Sequence, residues 1–172
     1  MVKEQFKQGK DLWDALEGKK EVIKEELLIN FAGVKGKITV VYRDLDENAE
    51  IYEEYDKKLP KKPTITINYK DKEKTLFVPV DDGKFKEFNN HPEAKEKISK
   101  WKKECKPVEK EKTYRIAYMY ISDNEKPGKN PEEGTKILQK SLPYQNAIKI
   151  VNKGMEISNV GGLEVGKQEE SS

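Results

Sequence analysis

Few residues in this chain could do chemistry, and most of them stand alone. Asp44, Asp46 and Asn48 place oxygen ligands at alternate positions. That is the opening half of a calcium-binding loop, in which carboxylates and an amide converge on one hard cation. The second half departs from the pattern: the sixth position, which needs glycine, is Ala49, and the twelfth, which needs a bidentate glutamate, is Tyr55. The run from Asp44 to Asp56 holds seven acids and no base, so its plainest reading is a solvated acidic loop. Asp44, Asp46, Glu47, Glu50, Glu53 and Glu54 are its candidate surface for docking a basic protein partner. His91 and Cys105 are the single histidine and single cysteine of the sequence. They exclude a two-histidine metal site, an internal disulfide and every multi-cysteine zinc or iron–sulfur pattern within these residues. Fourteen residues separate them, about four helical turns, too far for the imidazole to activate the thiol along one helix.

Three further stretches carry partial motifs. His91-Pro92-Glu93 matches the H-x-E element of zinc deaminases, but that chemistry also needs a paired-cysteine element; a helix start explains His91 and Pro92 better. Gly128 to Lys136, GKNPEEGTK, has the composition of a phosphate loop. Its order is wrong, with five residues between the glycines and Thr135 ahead of Lys136. Tyr114 and Tyr118 form a Y-x-x-x-Y pair on an expected strand. Over those five residues the chain is similar to the element with which NEAT domains, haem-binding β-sandwiches of bacterial surfaces, present a tyrosine to iron. The resemblance implies a haem or small-ligand site at Tyr114 and Tyr118. The small helix with a serine contact that precedes it in that family has no counterpart here, and two packed core tyrosines on one strand face give the same spacing.

The most extended charged feature is basic. Lys95, Lys97, Lys100, Lys102 and Lys103 lie on an expected helix, and residues 95–112 hold eight lysines against Glu96, Glu104, Glu109 and Glu111. Such a surface attracts phosphates without reading bases, with Tyr118 and Tyr120 as stacking platforms. A solvated helix face tied by i,i+4 pairs such as Glu93–Lys97 and Glu96–Lys100 is the plainer explanation. Arg43 and Arg115 are the only arginines among 34 basic residues. Lysine lacks the planar fork that reads guanine edges, and the net charge is only +2. Sequence-specific DNA recognition is therefore not expected.

The elements that must position these residues are read from periodicity. Hydrophobic content is 34% against 38% charged, so the core is lean for 172 residues. Val2 to Glu17 reads as an amphipathic helix, with Phe6, Trp13 and Leu16 on one face and Gly18 as its stop. Glu26–Ala32 and Lys37–Arg43 alternate as a hairpin, preferred over a helix across Glu21–Phe31. The acidic run is a short helix or ordered loop, closed by Pro60 and Pro63. Pro63 to Phe88 is the clearest meander: Ile65, Ile67 and Tyr69 alternate, as do Leu76, Val78 and Val80, and Phe85 and Phe88 open a third short strand. Pro79 sets the second of these at an edge or a bulge. A helix follows from Pro92 to about Cys105, ended by Pro107. Thr113–Ser122, apolar and aromatic on both faces, reads as a central strand. Asn130-Pro131-Glu132-Glu133 opens a short helix halted by Pro143. Ala147–Val151 and Met155–Val160 flank Asn152-Lys153-Gly154 as a hairpin, and Leu163 and Val165 add a last strand.

The expectation is an α+β fold: an antiparallel β-sheet or sandwich around the meander at 63–88, with two or three peripheral helices. It occupies one domain over 1–166, with possible sub-lobes 1–90 and 91–166, and ends in a polar, disordered tail at 167–172. No catalytic constellation, metal site or cofactor is expected. The favoured function is a non-catalytic, β-rich interaction module that binds a protein or a surface polymer through charged surfaces. Non-specific single-stranded nucleic-acid binding along residues 92–106 is one alternative, and a haem or small-ligand β-sandwich the other. No apolar run reaches membrane-spanning length, and MVKEQFKQGKDLWD lacks the core of a signal peptide. With Met1 as the start, a cytoplasmic protein is expected; a chain trimmed of its leader would be exported or lipid-anchored.

Overall fold

The computed structural model describes residues 8–170, with side chains over 8–20 and 23–158; Phe6 of the expected first helix and residues 171–172 of the tail lie outside the described residues. Among them the chain forms five α-helices and two β-hairpins, in the order α1 (Lys10–Val22), β1 (Lys24–Phe31), β2 (Val34–Val41), α2 (Leu45–Asp56), β3 (Thr64–Tyr69), β4 (Lys72–Phe77), α3 (Pro92–Tyr120), α4 (Pro131–Ser141) and α5 (Tyr144–Glu170). The fold is α+β. Its strands make two separate two-stranded antiparallel sheets, β1–β2 and β3–β4, rather than one sheet or a sandwich, and helices outnumber the two or three expected. The chain divides into two compact units, one of Met1–Tyr52 with Glu111–Ser172, the other of Glu53–Lys110.

The second unit follows the period-2 alternation. Ile65, Ile67 and Leu76 are buried with Val78, Val80, Phe85 and Ala94, and Tyr69, Phe88 and Ile98 pack against them. The ribbon turns at Lys70 and Asp71, both with positive φ, as the tight hairpin turn that suits strand twist demands. Past β4, the Val78 N–H donates to the Pro63 carbonyl at 2.8 Å, and the Val78–Pro79 bond is cis. No third strand forms at Phe85–Phe88; that segment is a 3-10 turn over Lys86–Asn90. Its Asn89 side chain supplies the pairing a strand would have given Val80, accepting from the Val80 N–H at 2.7 Å and donating to its carbonyl at 3.0 Å.

Four expectations give way to longer helices. The helix begun at Pro92 does not stop at Pro107 but continues to Tyr120, so Thr113–Ser122 is largely helix and not strand. Pro107 forfeits one main-chain hydrogen bond, at a cost of about 3 kcal/mol. Burial of Tyr114, Ile116, Ala117, Tyr118, Met119 and Tyr120 offsets it. A helix apolar all round and a strand apolar on both faces give the same continuous run. Likewise the hairpin expected about Gly154, and the strand at Leu163 and Val165, belong to α5. Gly154 is there for close packing: a Cβ on it would lie 2.2 Å from the Tyr120 ring. The β1–β2 hairpin is found as expected, though its turn is the two residues Ala32 and Gly33, with φ of 51° and 82°, and Gly36 is within β2. α1 likewise runs through Gly18, the expected stop. α4 starts as expected, the Asn130 Oδ1 accepting from the Glu133 N–H at 2.9 Å.

Candidate functional site

The first unit holds an open cleft of about 920 Å³. α1 supplies Trp13, Leu16, Glu17 and Lys20, which are spaced so that they share one helix face. The end of β2 and the residues after it supply Val41, Tyr42, Arg43 and Asp44, the start of α2 supplies Glu47, and Ser122, Asp123 and Asn124 follow α3. Trp13 is 65% exposed, so the apolar face of the amphipathic helix α1 is one wall of this cleft.

Both cations of the cleft are already engaged. Lys20 lies 2.9 Å from Asp44 Oδ1 and 5.7 Å from the centre of the Tyr42 ring, and the Tyr42 hydroxyl donates to the same oxygen at 3.3 Å. The Lys20 hydrogen bond holds the Asp44 carboxyl below its ordinary value and raises Lys20 in return. Burial, with Asp44 beside it, pushes the Tyr42 phenol up. Arg43 is a clasp more than a surface charge, its side chain only 19% exposed. Its Nε donates to the Met119 carbonyl at 2.9 Å, at the C-terminal end of α3 where the helix dipole favours a cation. Its Nη2 donates to Asp123 Oδ1 at 2.8 Å, and Ser158 of α5 donates to its carbonyl at 3.1 Å. Lys126, 2.6 Å from Asp123, and then Arg43 hold the Asp123 carboxyl below its usual range. Four carboxylates line the cleft against Lys20, Arg43 and the Lys126 that Asp123 also holds, and Glu47 makes no ion pair among the described residues. The cleft therefore carries surplus negative charge beside an exposed indole.

The acidic candidates are divided by helix geometry. Asp44 and Glu47 reach the cleft, whereas Asp46 and Glu50 are exposed on α2 outside its lining. Glu53 and Glu54 are taken up by Lys57 and Lys58 at 2.9 and 2.7 Å, one turn on. Asp44, Asp46 and Asn48 do not converge: in a helix, residues two apart point about 200° from each other, and Asn48 is buried, its Oδ1 without a partner among the described residues. No group of three metal-ligating side chains is found among the described residues. On the basic helix Lys97 is held by Glu93 at 2.9 Å and by the Thr64 carbonyl at 2.8 Å. Lys95 and Lys102 border a shallow hollow of about 470 Å³ with Pro79, Asn89, Ile98 and Ser99, while Lys100 and Lys103 are exposed.

Tyr114 and Tyr118 lie on α3, not on a strand, and both are buried. The Tyr114 hydroxyl donates to the Leu142 carbonyl at 2.7 Å. The Tyr118 ring covers Gly134, where a Cβ would come within 2.0 Å of it. Cys105 is buried, which pushes its thiol up. The charged and polar cleft residues that sequence reasoning passed over are Glu17, Lys20, Tyr42, Arg43, Ser122, Asp123 and Asn124. The one signal for them was that Arg43 is one of only two arginines in a lysine-rich chain. No protein-family model, curated protein or solved structure matches the chain.

Proposed function

We propose that this protein is a non-catalytic interaction module whose cleft in the first unit receives a lysine- or arginine-bearing segment of a protein partner. What supports the reading is the charge of the lining: Lys20 is matched by Asp44, and Arg43 shares Asp123 with Lys126, so four carboxylates meet three cations and Glu17 and Glu47 stand beside the exposed Trp13. A carboxylate and an aromatic face are the two groups a guanidinium or ammonium seeks together. The cleft is open rather than enclosing, which suits a side chain presented by a larger body.

Titration of the full chain with a short lysine- and arginine-rich peptide tests this, read by tryptophan fluorescence. Binding is expected to weaken with salt, and Glu47→Lys to weaken it roughly tenfold. Trp13→Phe should remove the fluorescence change while Trp101, whose indole is tied to the Pro60 carbonyl at 2.9 Å, stays silent. Affinity for oligothymidylate in place of the peptide, lost on neutralising Lys100 and Lys103, would favour the nucleic-acid reading; no response to either ligand removes both.

A further inference from the structure

The β1–β2 ribbon has one closed edge and one open edge. On β2, the Thr39 N–H donates to the Glu125 carboxylate at 2.6 Å and its carbonyl accepts from the Ser122 N–H at 2.9 Å. Val40 also bridges Ile121. Thr39 thus turns its main-chain groups away from β1. Because that direction alternates along an antiparallel strand, Lys37 and Lys35 turn theirs the same way. Across the ladder Thr39 faces Glu26, Lys37 faces Leu28 and Lys35 faces Asn30. Glu26, Leu28 and Asn30 therefore present N–H and C=O groups on the outer edge of β1, and among the described residues no main-chain hydrogen bond reaches them. Leu28 is 69% and Phe31 56% exposed. An eight-residue edge with free main-chain groups and exposed Leu28 and Phe31, charged only at its Lys24–Glu26 end, is a template for another strand.

We propose that β1 is a self-association edge, on which two copies of the chain pair β1 with β1 antiparallel about a two-fold axis at Leu28 to make a four-stranded sheet. Head-to-tail pairing of β1 with β2 of a second copy has little to grip, since Ser122 and Glu125 already occupy the base of the β2 edge. The isologous pairing closes on itself. Charge selects its register. Centred on Leu28, it sets Glu26 opposite Asn30 and Glu25 opposite Phe31 of the second copy, and no like charges meet. Centred on Glu26, it sets that carboxylate against its own copy. Centred on Asn30, it runs Leu28 into the turn at Ala32 and shortens the ladder.

Sedimentation of the full chain over a range of concentrations should show a reversible dimer. Leu28→Cys should cross-link under mild oxidation, because residues facing themselves in such a pair have Cα atoms about 5.5 Å apart, within disulfide reach. Glu26→Cys should not, its two copies being separated by more than ~13 Å of strand. Leu28→Pro removes only an outward N–H, so it should weaken the dimer roughly tenfold or more while the circular dichroism is kept. If that variant loses its dichroism, the two cysteine variants decide. A monomer at every concentration overturns the proposal. So does Leu28→Cys cross-linking no faster than Glu26→Cys, or undiminished dimerisation of a folded Leu28→Pro.

Discussion

β1–β2 and β3–β4 are both two-stranded ribbons, and each is closed by a two-residue turn in which both residues have positive φ. A lone ribbon of this kind is marginal in water, so each must be held by something else. β3–β4 buries Ile65, Ile67 and Leu76 on one face under the residues that follow it in sequence. β1–β2 buries only Val40 fully; Leu27, Ile29 and Ile38 are half-buried, and Leu28, Phe31 and Val34 face solvent. Beside each ribbon a side chain takes the place of a missing strand, Asn89 at Val80 beyond β4 and Glu125 at Thr39 within β2. The difference is between a ribbon that completes a core and one that extends beyond it. Only the first owes its stability chiefly to side-chain burial.

The contrast is most easily broken at matched apolar residues. Ile65→Ala should destabilise the protein by about 3 kcal/mol in urea unfolding, and Leu28→Ala by no more than about 0.5 kcal/mol when the chain is dilute. Equal costs would mean that β1–β2 is covered after all. The two strand substitutes should differ less. Asn89→Ala leaves the N–H and C=O of buried Val80 unmet and should cost about 2 kcal/mol. Glu125→Ala should cost about 1 kcal/mol, because water can reach the exposed Thr39 contact. The smallest effect is at the turns, where no difference is expected. Ala32→Asn and Lys70→Asn each relieve a left-handed residue that asparagine tolerates better, and each should add about 0.5–1 kcal/mol. Unequal gains would show that one turn is strained by its ribbon.

What the sequence disclosed follows the same division. Ile65, Ile67, Leu76, Val78 and Val80 alternate and are all buried, because a half-buried strand writes its two faces directly into residue order. The helix start at Pro92 and the Asn130 cap were legible for a similar reason, being set by residues within one turn of each other. Thr113–Ser122 was not. Its tyrosines and β-branched residues favour a strand locally, and only packing against residues far along the chain makes it a helix. The acidic half of the cleft was visible as a run of carboxylates, but not which of them α2 would turn into it. Arg43 was invisible as a clasp, since its partners Met119, Asp123 and Ser158 are brought to it only by the fold.

The contact between Gly154 and Tyr120 also bears on how this chain can diverge. A bare Cα pressed on an aromatic ring leaves no room for a side chain at the first position unless the second first becomes smaller. The two sites are thus locked as a pair, and so are Gly134 and Tyr118. In descendants of this sequence each glycine should persist for as long as its tyrosine does, while the charged residues of the surface drift around them.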